Sequence, residues 1–164
     1  IRYKTARLFE AAAQIGAILC ASSPEAEAAA AAYGRHLGTA FQLIDDVLDY
    51  SGITADIGKP AGDDLREGKP TLPLIHVIAH GNQAERTLVR EAIEQGHTEA
   101  FDPIMAAIQR TGALDYTRER ARAESEAALA ALETMLAGST ADDSASACRE
   151  ALLYLPTYSI SRDR

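Results

Sequence analysis

The sequence predicts an all-α fold, and three observations carry that prediction. Apolar residues, chiefly Ala, Leu and Ile, recur at helical spacing along most of the 164-residue chain. No run of alternating β-branched residues is present. Hydrophobic residues are 47% and charged residues 24%, near globular averages, which argues against intrinsic disorder; the length corresponds to about one domain. Lys plus Arg is 16 against 24 Asp plus Glu, a net charge of −8. A phosphate backbone demands a basic face, so nucleic acid is not the expected partner. No stretch approaches the roughly 18 consecutive apolar residues of a membrane span, and no secretory leader is visible. A cytoplasmic location is therefore expected. Cys20 and Cys148 make neither a disulfide framework nor a zinc site, and are expected to be buried or inert thiols in a reducing compartment.

The elements follow in order. Tyr3 to Cys20 reads as one helix, in which Leu8, Ile15 and Leu19 alternate with the small residues Ala11, Ala12 and Gly16. Ser22-Ser23-Pro24 breaks it and starts the next: Ser23 is the expected N-cap, Pro24 fits the first turn, and Glu25 and Glu27 suit the positive end of the helix. The second helix is the longest, from Pro24 to Tyr50. Gly34 and Gly38 lie four apart inside it, which predicts close helix packing. Ser51-Gly52 is a stop signal. Residues 53–70 read as a long loop rich in Gly, Asp, Lys and Pro, and 71–79 as an apolar helix. After Gly81-Asn82, further helices are expected at 83–95, 98–111, 113–137 and 142–155. No fixed-period repeat or low-complexity linker divides them.

The informative segment is Phe41-Gln42-Leu43-Ile44-Asp45-Asp46-Val47-Leu48-Asp49-Tyr50. Asp45 and Asp49 are four apart and share one helix face, with Cβ atoms about 6 Å apart; Asp46 lies about 100° further round. All three sit at a helix C-terminus, the negative pole, where carboxylates are electrostatically unfavourable. Breaks of a local rule tend to mark functional sites, and a cation would resolve this one. From Asp45 to Lys69 there are seven acids and three bases (Lys59, Arg66, Lys69), a balance of −4. Magnesium typically takes one or two carboxylates together with substrate phosphates and water, and lysines bind phosphate as point charges. A solvated acidic helix end, or plain Asp–Lys ion pairs, fits the same residues. An EF-hand does not, because its ligand spacing is missing.

The wider string, with Gly58-Lys59-Pro60 and then Gly62-Asp-Asp-Leu-Arg-Glu-Gly-Lys-Pro-Thr-Leu-Pro73, resembles the second aspartate-rich motif of the trans-polyprenyl diphosphate synthase family and the segment after it. Lys4-Thr5 resembles that family's substrate-binding pair. The resemblance covers essentially the whole chain and is strongest to the long-chain quinone side-chain synthases. It implies an all-helical bundle of the isoprenoid synthase type, of which residues 1–164 are the C-terminal part of a single domain. The family has two aspartate-rich motifs, and this sequence has one. Asp63-Asp64 and Asp142-Asp143 lack the spacing to replace the other. With Ile1 rather than Met at its start, the chain is expected to be the C-terminal half of such an enzyme. Such a half is expected to expose apolar faces and to be inactive alone.

The resemblance implies head-to-tail prenyl transfer from an allylic diphosphate to isopentenyl diphosphate with Mg2+. It makes Asp45 a direct metal ligand, and Asp46 and Asp49 ligands through water or orienting groups. Lys4 and Lys59 would bind the allylic diphosphate, Thr5 and Gln42 would position it, and Lys69 would support the loop or reach phosphate. Pyrophosphate would serve as the base, so His36, His76, His80 and His97 are expected in surface or packing roles. Ala12, Gly16 and Gly38 either leave room for an apolar product or pack helices tightly. Arg162 and Arg164 either fold over the diphosphates or fray. A homodimer and a peripheral membrane contact at product release also follow from the resemblance. The same fold admits a terpene cyclase, and a non-catalytic partner subunit or inactive fragment is the other alternative.

Overall fold

A computed structural model describes residues 5–51, 62–95, 100–137 and 143–162. Among these residues every regular element is helical: α1 Arg7–Leu19, α2 Pro24–Tyr50, α3 Asp63–Arg66, α4 Leu72–His80, α5 Gln83–Gln95, α6 Phe101–Thr111, α7 Ala113–Met135 and α8 Asp143–Ser161. The expected all-α class holds. Two elements differ from expectation. The predicted loop contains the single turn α3, and α8 continues past residue 155, through Pro156, to Ser161.

The described residues divide into two compact units, one within 5–42 and 120–162 and the other within 43–119. In the first unit, Ser23 caps α2 as expected, its Oγ accepting the Ala26 N–H at 3.2 Å. The two glycines of α2 explain how α1 packs. A Cβ on Gly34 would lie 2.2 Å from the Phe9 carbonyl oxygen, and one on Gly38 would lie 2.8 Å from Ala6 Cα. The helices therefore meet backbone to backbone, a distance that only glycine permits. Gly16 differs: a Cβ there would meet nothing within 4 Å. Together with Ala12, Tyr33, Met135 and Leu152 it lines an apolar cavity of about 510 Å³. Small residues on these helices thus serve both ends, packing at Gly38 and leaving space at Ala12 and Gly16.

Tyr33 explains how α8 survives its proline. Pro156 has no N–H to give the carbonyl four residues back, that of Leu152. The Tyr33 hydroxyl donates to that carbonyl instead, at 2.8 Å. Pro156 is buried, and Tyr33 packs with Leu37, Ala128 and Leu132. His36 Nδ1–H donates to Glu124 Oε2 at 2.7 Å, a structural link between α2 and α7.

The two cysteines are not buried, while neither forms a disulfide. Both are free and exposed: Cys20 follows the last turn of α1, beyond the buried Ala17, and Cys148 lies in the exposed stretch 145–150 of α8. Large apolar side chains are also exposed in this unit, among them Leu8 and Leu19 on α1 and Tyr154 and Tyr158 on α8.

The second unit packs around Tyr50, Leu65, Leu74, Val77, Val89, Ile104 and Ile108. His76 stacks between His80 and Tyr116, at centroid distances of 4.1 and 4.4 Å, and its Nε2–H donates to the Thr111 carbonyl at 3.2 Å. These are packing roles, as expected; His97 lies outside the described residues.

Two outcomes follow for stability. Gly34→Ala should lose about 1–3 kcal/mol through overpacking, whereas Gly16→Ala should gain about 0.5–1 kcal/mol from helix propensity; urea midpoints compare them. Tyr33→Phe should cost about 1 kcal/mol by leaving a part-buried carbonyl without its donor. Burial also pushes the Tyr33 phenol up to about 12. Between the unfolded value near 10 and about 12, the folded chain keeps a proton that the unfolded chain loses, so stability falls as pH rises through that window. Unfolding of the Phe variant measured from pH 9 to 12 should show a shallower alkaline loss.

Candidate functional site

The acidic end of α2 lies in the second unit. Three successive amides converge on one residue there. The Asp49 carbonyl accepts the Gly62 N–H at 3.1 Å, its Oδ1 accepts the Asp63 N–H at 3.1 Å, and its Oδ2 accepts the Asp64 N–H at 3.1 Å. The two carboxylate bonds satisfy N–H groups that begin α3 and have no partner within that turn. Burial raises the Asp49 carboxyl above its ordinary value; the two amides pull it back, and the Asp64 and Asp63 charges push it further up.

Asp46 is 2% exposed. Its Oδ2 accepts a long hydrogen bond, 3.5 Å, from the Leu72 N–H at the start of α4, where Pro73 occupies the first turn. Carboxylates that the negative pole of α2 disfavours thus meet N–H groups opening the next two helices. Sequence reasoning looked to a cation for this compensation; the structure supplies backbone amides to Asp46 and Asp49. Asp45 is half-buried. Among the described residues, no three His, Cys, Asp or Glu side chains gather around one point. The oxygen donors present suit a hard cation that draws one or two ligands from protein and the rest from phosphate and water.

Gly62 opens the turn at φ +82°, and a Cβ there would lie 2.4 Å from the Phe101 ring. Downstream, Lys69 Nζ is 2.8 Å from Asp64 Oδ1 and 2.5 Å from Glu67 Oε2. Hydrogen bonds to Asp64 and then Glu67 raise its pKa, so Lys69 is cationic at neutral pH. Arg66 pairs with Asp63. The Thr71 hydroxyl donates to the Tyr50 hydroxyl at 3.3 Å, and burial raises the Tyr50 phenol above its usual value.

The first unit holds a second polar group. Thr5 Oγ1–H donates to Gln42 Oε1 at 2.9 Å, which joins two residues singled out in the sequence. Beside Gln42, the Phe41 ring lies 5.9 Å from that of Phe9 and 3.8 Å beneath the Arg162 guanidinium. Arg162 also donates to the carbonyls of Phe41 at 3.2 Å and Ser159 at 3.3 Å. It is anchored to α2 rather than frayed. Lys4, Lys59 and Arg164 lie outside the described residues.

The Lys69–Asp64 pair is one of the Asp–Lys ion pairs the sequence admitted; the Tyr50–Thr71 bond was missed. Gly62-Asp63-Asp64 before Leu65 carries the acidic signature of a helix start and would have located α3. The Tyr50–Thr71 contact spans 21 residues, and no spacing rule reveals it.

The helices and the acid-rich end of α2 place the protein among the all-α isoprenoid synthases. The polyprenyl synthetase family model matches residues 1–110, and the chain belongs to that family. It is 47% identical over 162 residues to octaprenyl diphosphate synthase of Escherichia coli (strain K12), covering 98% of this chain and 48% of that protein. It is 53% identical over 133 residues to the Haemophilus influenzae octaprenyl diphosphate synthase, covering 80% and 40%. The chain spans about half the length of the curated relatives it matches. Among solved structures, a decaprenyl diphosphate synthase from Rhodobacter capsulatus is similar at a TM-score of 0.82 and 37% identity, over 100% of this chain and 49% of that one. A polyprenyl synthase from Caulobacter crescentus CB15, complexed with calcium and isoprenyl diphosphate, is similar at 0.82 and 40% identity, over 100% and 48%.

Gly62→Ala should cost about 1–2 kcal/mol for the left-handed backbone alone, and more for the Phe101 contact; the loss is read from the urea midpoint.

Proposed function

We propose that this chain is part of a long-chain trans-polyprenyl diphosphate synthase. It would elongate an allylic diphosphate head-to-tail with isopentenyl diphosphate to an octaprenyl-like product, a quinone side-chain precursor. The observation that carries the reading is the 47% identity to an octaprenyl diphosphate synthase across nearly all of the chain, a stretch that includes Asp45, Asp46 and Asp49. The reaction is assigned to the polypeptide as its gene encodes it.

In this reading Asp45 is the direct ligand of Mg2+, with Asp46 and Asp49 behind it. When bound, the metal neutralises charge on the pyrophosphate as the allylic C–O bond breaks. Lys4 and Lys59 bind the diphosphate oxygens, and the cationic Lys69 supports them. The Thr5–Gln42 bond fixes the amide oxygen and hence the orientation of that side chain for positioning the substrate. The isopentenyl double bond attacks the allylic carbon, a C–C bond forms, and the proton then lost passes to pyrophosphate. No histidine is needed; His36 and His76 are committed to Glu124 and Thr111. The apolar cavity beside Ala12 and Gly16 supports a role for α1 near the growing chain. The described residues contain no helix long and apolar enough to cross a membrane. A cytoplasmic homodimer that touches the membrane only to release product fits this reading.

Incubation with an allylic diphosphate, radiolabelled isopentenyl diphosphate and Mg2+ should yield longer polyprenyl diphosphates, and chelation of the metal should abolish them. Cyclic hydrocarbons would indicate a terpene cyclase instead, and absence of incorporation a non-catalytic subunit. Asp45→Ala should lower turnover by about a hundredfold or more with the fold retained, as for loss of a group acting on transition-state charge. Unchanged turnover would remove Asp45 from the site.

A further inference from the structure

We propose that Asp49 is a positioning residue of the aspartate-rich motif rather than a ligand of its metal: it fastens the segment beginning at Gly62 to the end of α2. The inference rests on the proposed function for the word metal, and on geometry alone for the fastening. Three acceptors of this one residue are each taken by a main-chain N–H. The carbonyl takes Gly62, and the two carboxylate oxygens take Asp63 and Asp64 separately. An ion that recruited this carboxylate directly would compete with two amides for its oxygens. Releasing them would leave the opening N–H groups of α3 without their acceptors.

What the fastening positions is also visible. Asp64, held by its amide to Asp49, uses its carboxylate to hold Lys69 at 2.8 Å. The Lys69 N–H in turn donates to the Asp64 carbonyl at 2.9 Å. Leu65, between the anchored turn and this lysine, is fully buried in the core of the unit. Asp49 thus acts on Lys69 through one hydrogen-bonded turn. Asp49 and Gly62 lie 13 positions apart, and holding two such positions together costs chain entropy that the three bonds oppose.

Asparagine separates this role from metal ligation. Asp49→Asn keeps one side-chain oxygen as an amide acceptor and removes the charge that a hard cation needs. Asp49→Ala removes both acceptors. The experiment uses the polypeptide as its gene encodes it, with circular dichroism as the check on folding. Hydrogen exchange reads the Asp63 and Asp64 amides, and electron paramagnetic resonance reads Mn2+ binding in the presence of inorganic pyrophosphate. In the alanine variant both amides should exchange about tenfold faster or more, as for a locally opened turn. In the asparagine variant one amide should keep its protection. Mn2+ affinity in the asparagine variant should fall by less than about tenfold, because a nearby charge is lost but no ligand oxygen. With an allylic diphosphate as substrate, KM should rise in the alanine variant more than kcat falls, and asparagine should restore part of it. Unchanged exchange in the alanine variant overturns the fastening. A tenfold or greater loss of Mn2+ affinity in the asparagine variant overturns the positioning role. A wild-type protein that binds no Mn2+ with pyrophosphate defeats the proposed function instead, and the exchange measurement still decides the fastening.

Discussion

A carboxylate at the wrong end of a helix must find positive charge or hydrogen-bond donors elsewhere, and the end of α2 is organised around that requirement. The last carbonyls of α2 make its terminus negative, yet three aspartates crowd its final turns. The structure answers with N–H groups from outside the helix. Asp49 meets the opening amides of α3, and Asp46 meets the first amide of α4. Each contact satisfies two groups at once, because a helix start has donors with no internal partner. The acids therefore specify where the chain must pack from Gly62 onward.

This constraint explains the local composition. Gly62 carries the left-handed backbone at which the returning chain turns into α3. Pro73 occupies the start of α4, where a missing N–H costs nothing. Leu65 and Leu74 then enter the core and secure both contacts by apolar burial. Lys69 lies between the two anchors, paired with Asp64 and Glu67. A lysine held in this way is pre-oriented, and less side-chain entropy remains to be lost when it meets an anion.

The long helices were legible because their signals are local. Ser23, Pro24 and the two glutamates marked the start of α2, and Ser51 with Gly52 its stop. The glycine pair announced the close approach to α1. Two features were hidden for a physical reason: their partners are remote in sequence. Pro156 reads as a helix terminator until Tyr33, 119 residues from Leu152, is seen to supply the missing donor. The acidic motif gave the spacing of Asp45, Asp46 and Asp49 but not the amides of α3 that meet Asp49 or that of α4 that meets Asp46. The cysteines were misplaced because thiol burial is a statistical tendency that neither Cys20 nor Cys148 follows.

Amide contacts also leave the electrostatic attraction for a cation in place. A backbone N–H carries only a partial charge, so an aspartate that accepts one or two hydrogen bonds keeps most of its negative field when ionised. Hydrogen bonds to the ionised form favour that form, and desolvation strengthens the field at short range. Aspartates tied to the backbone thus keep a negative field at this end of α2. The same carboxylates hold the turn and bias the charge. A spacing that looks like three equivalent acids resolves into different surroundings, with main-chain amides of α3 on Asp49 and of α4 on Asp46.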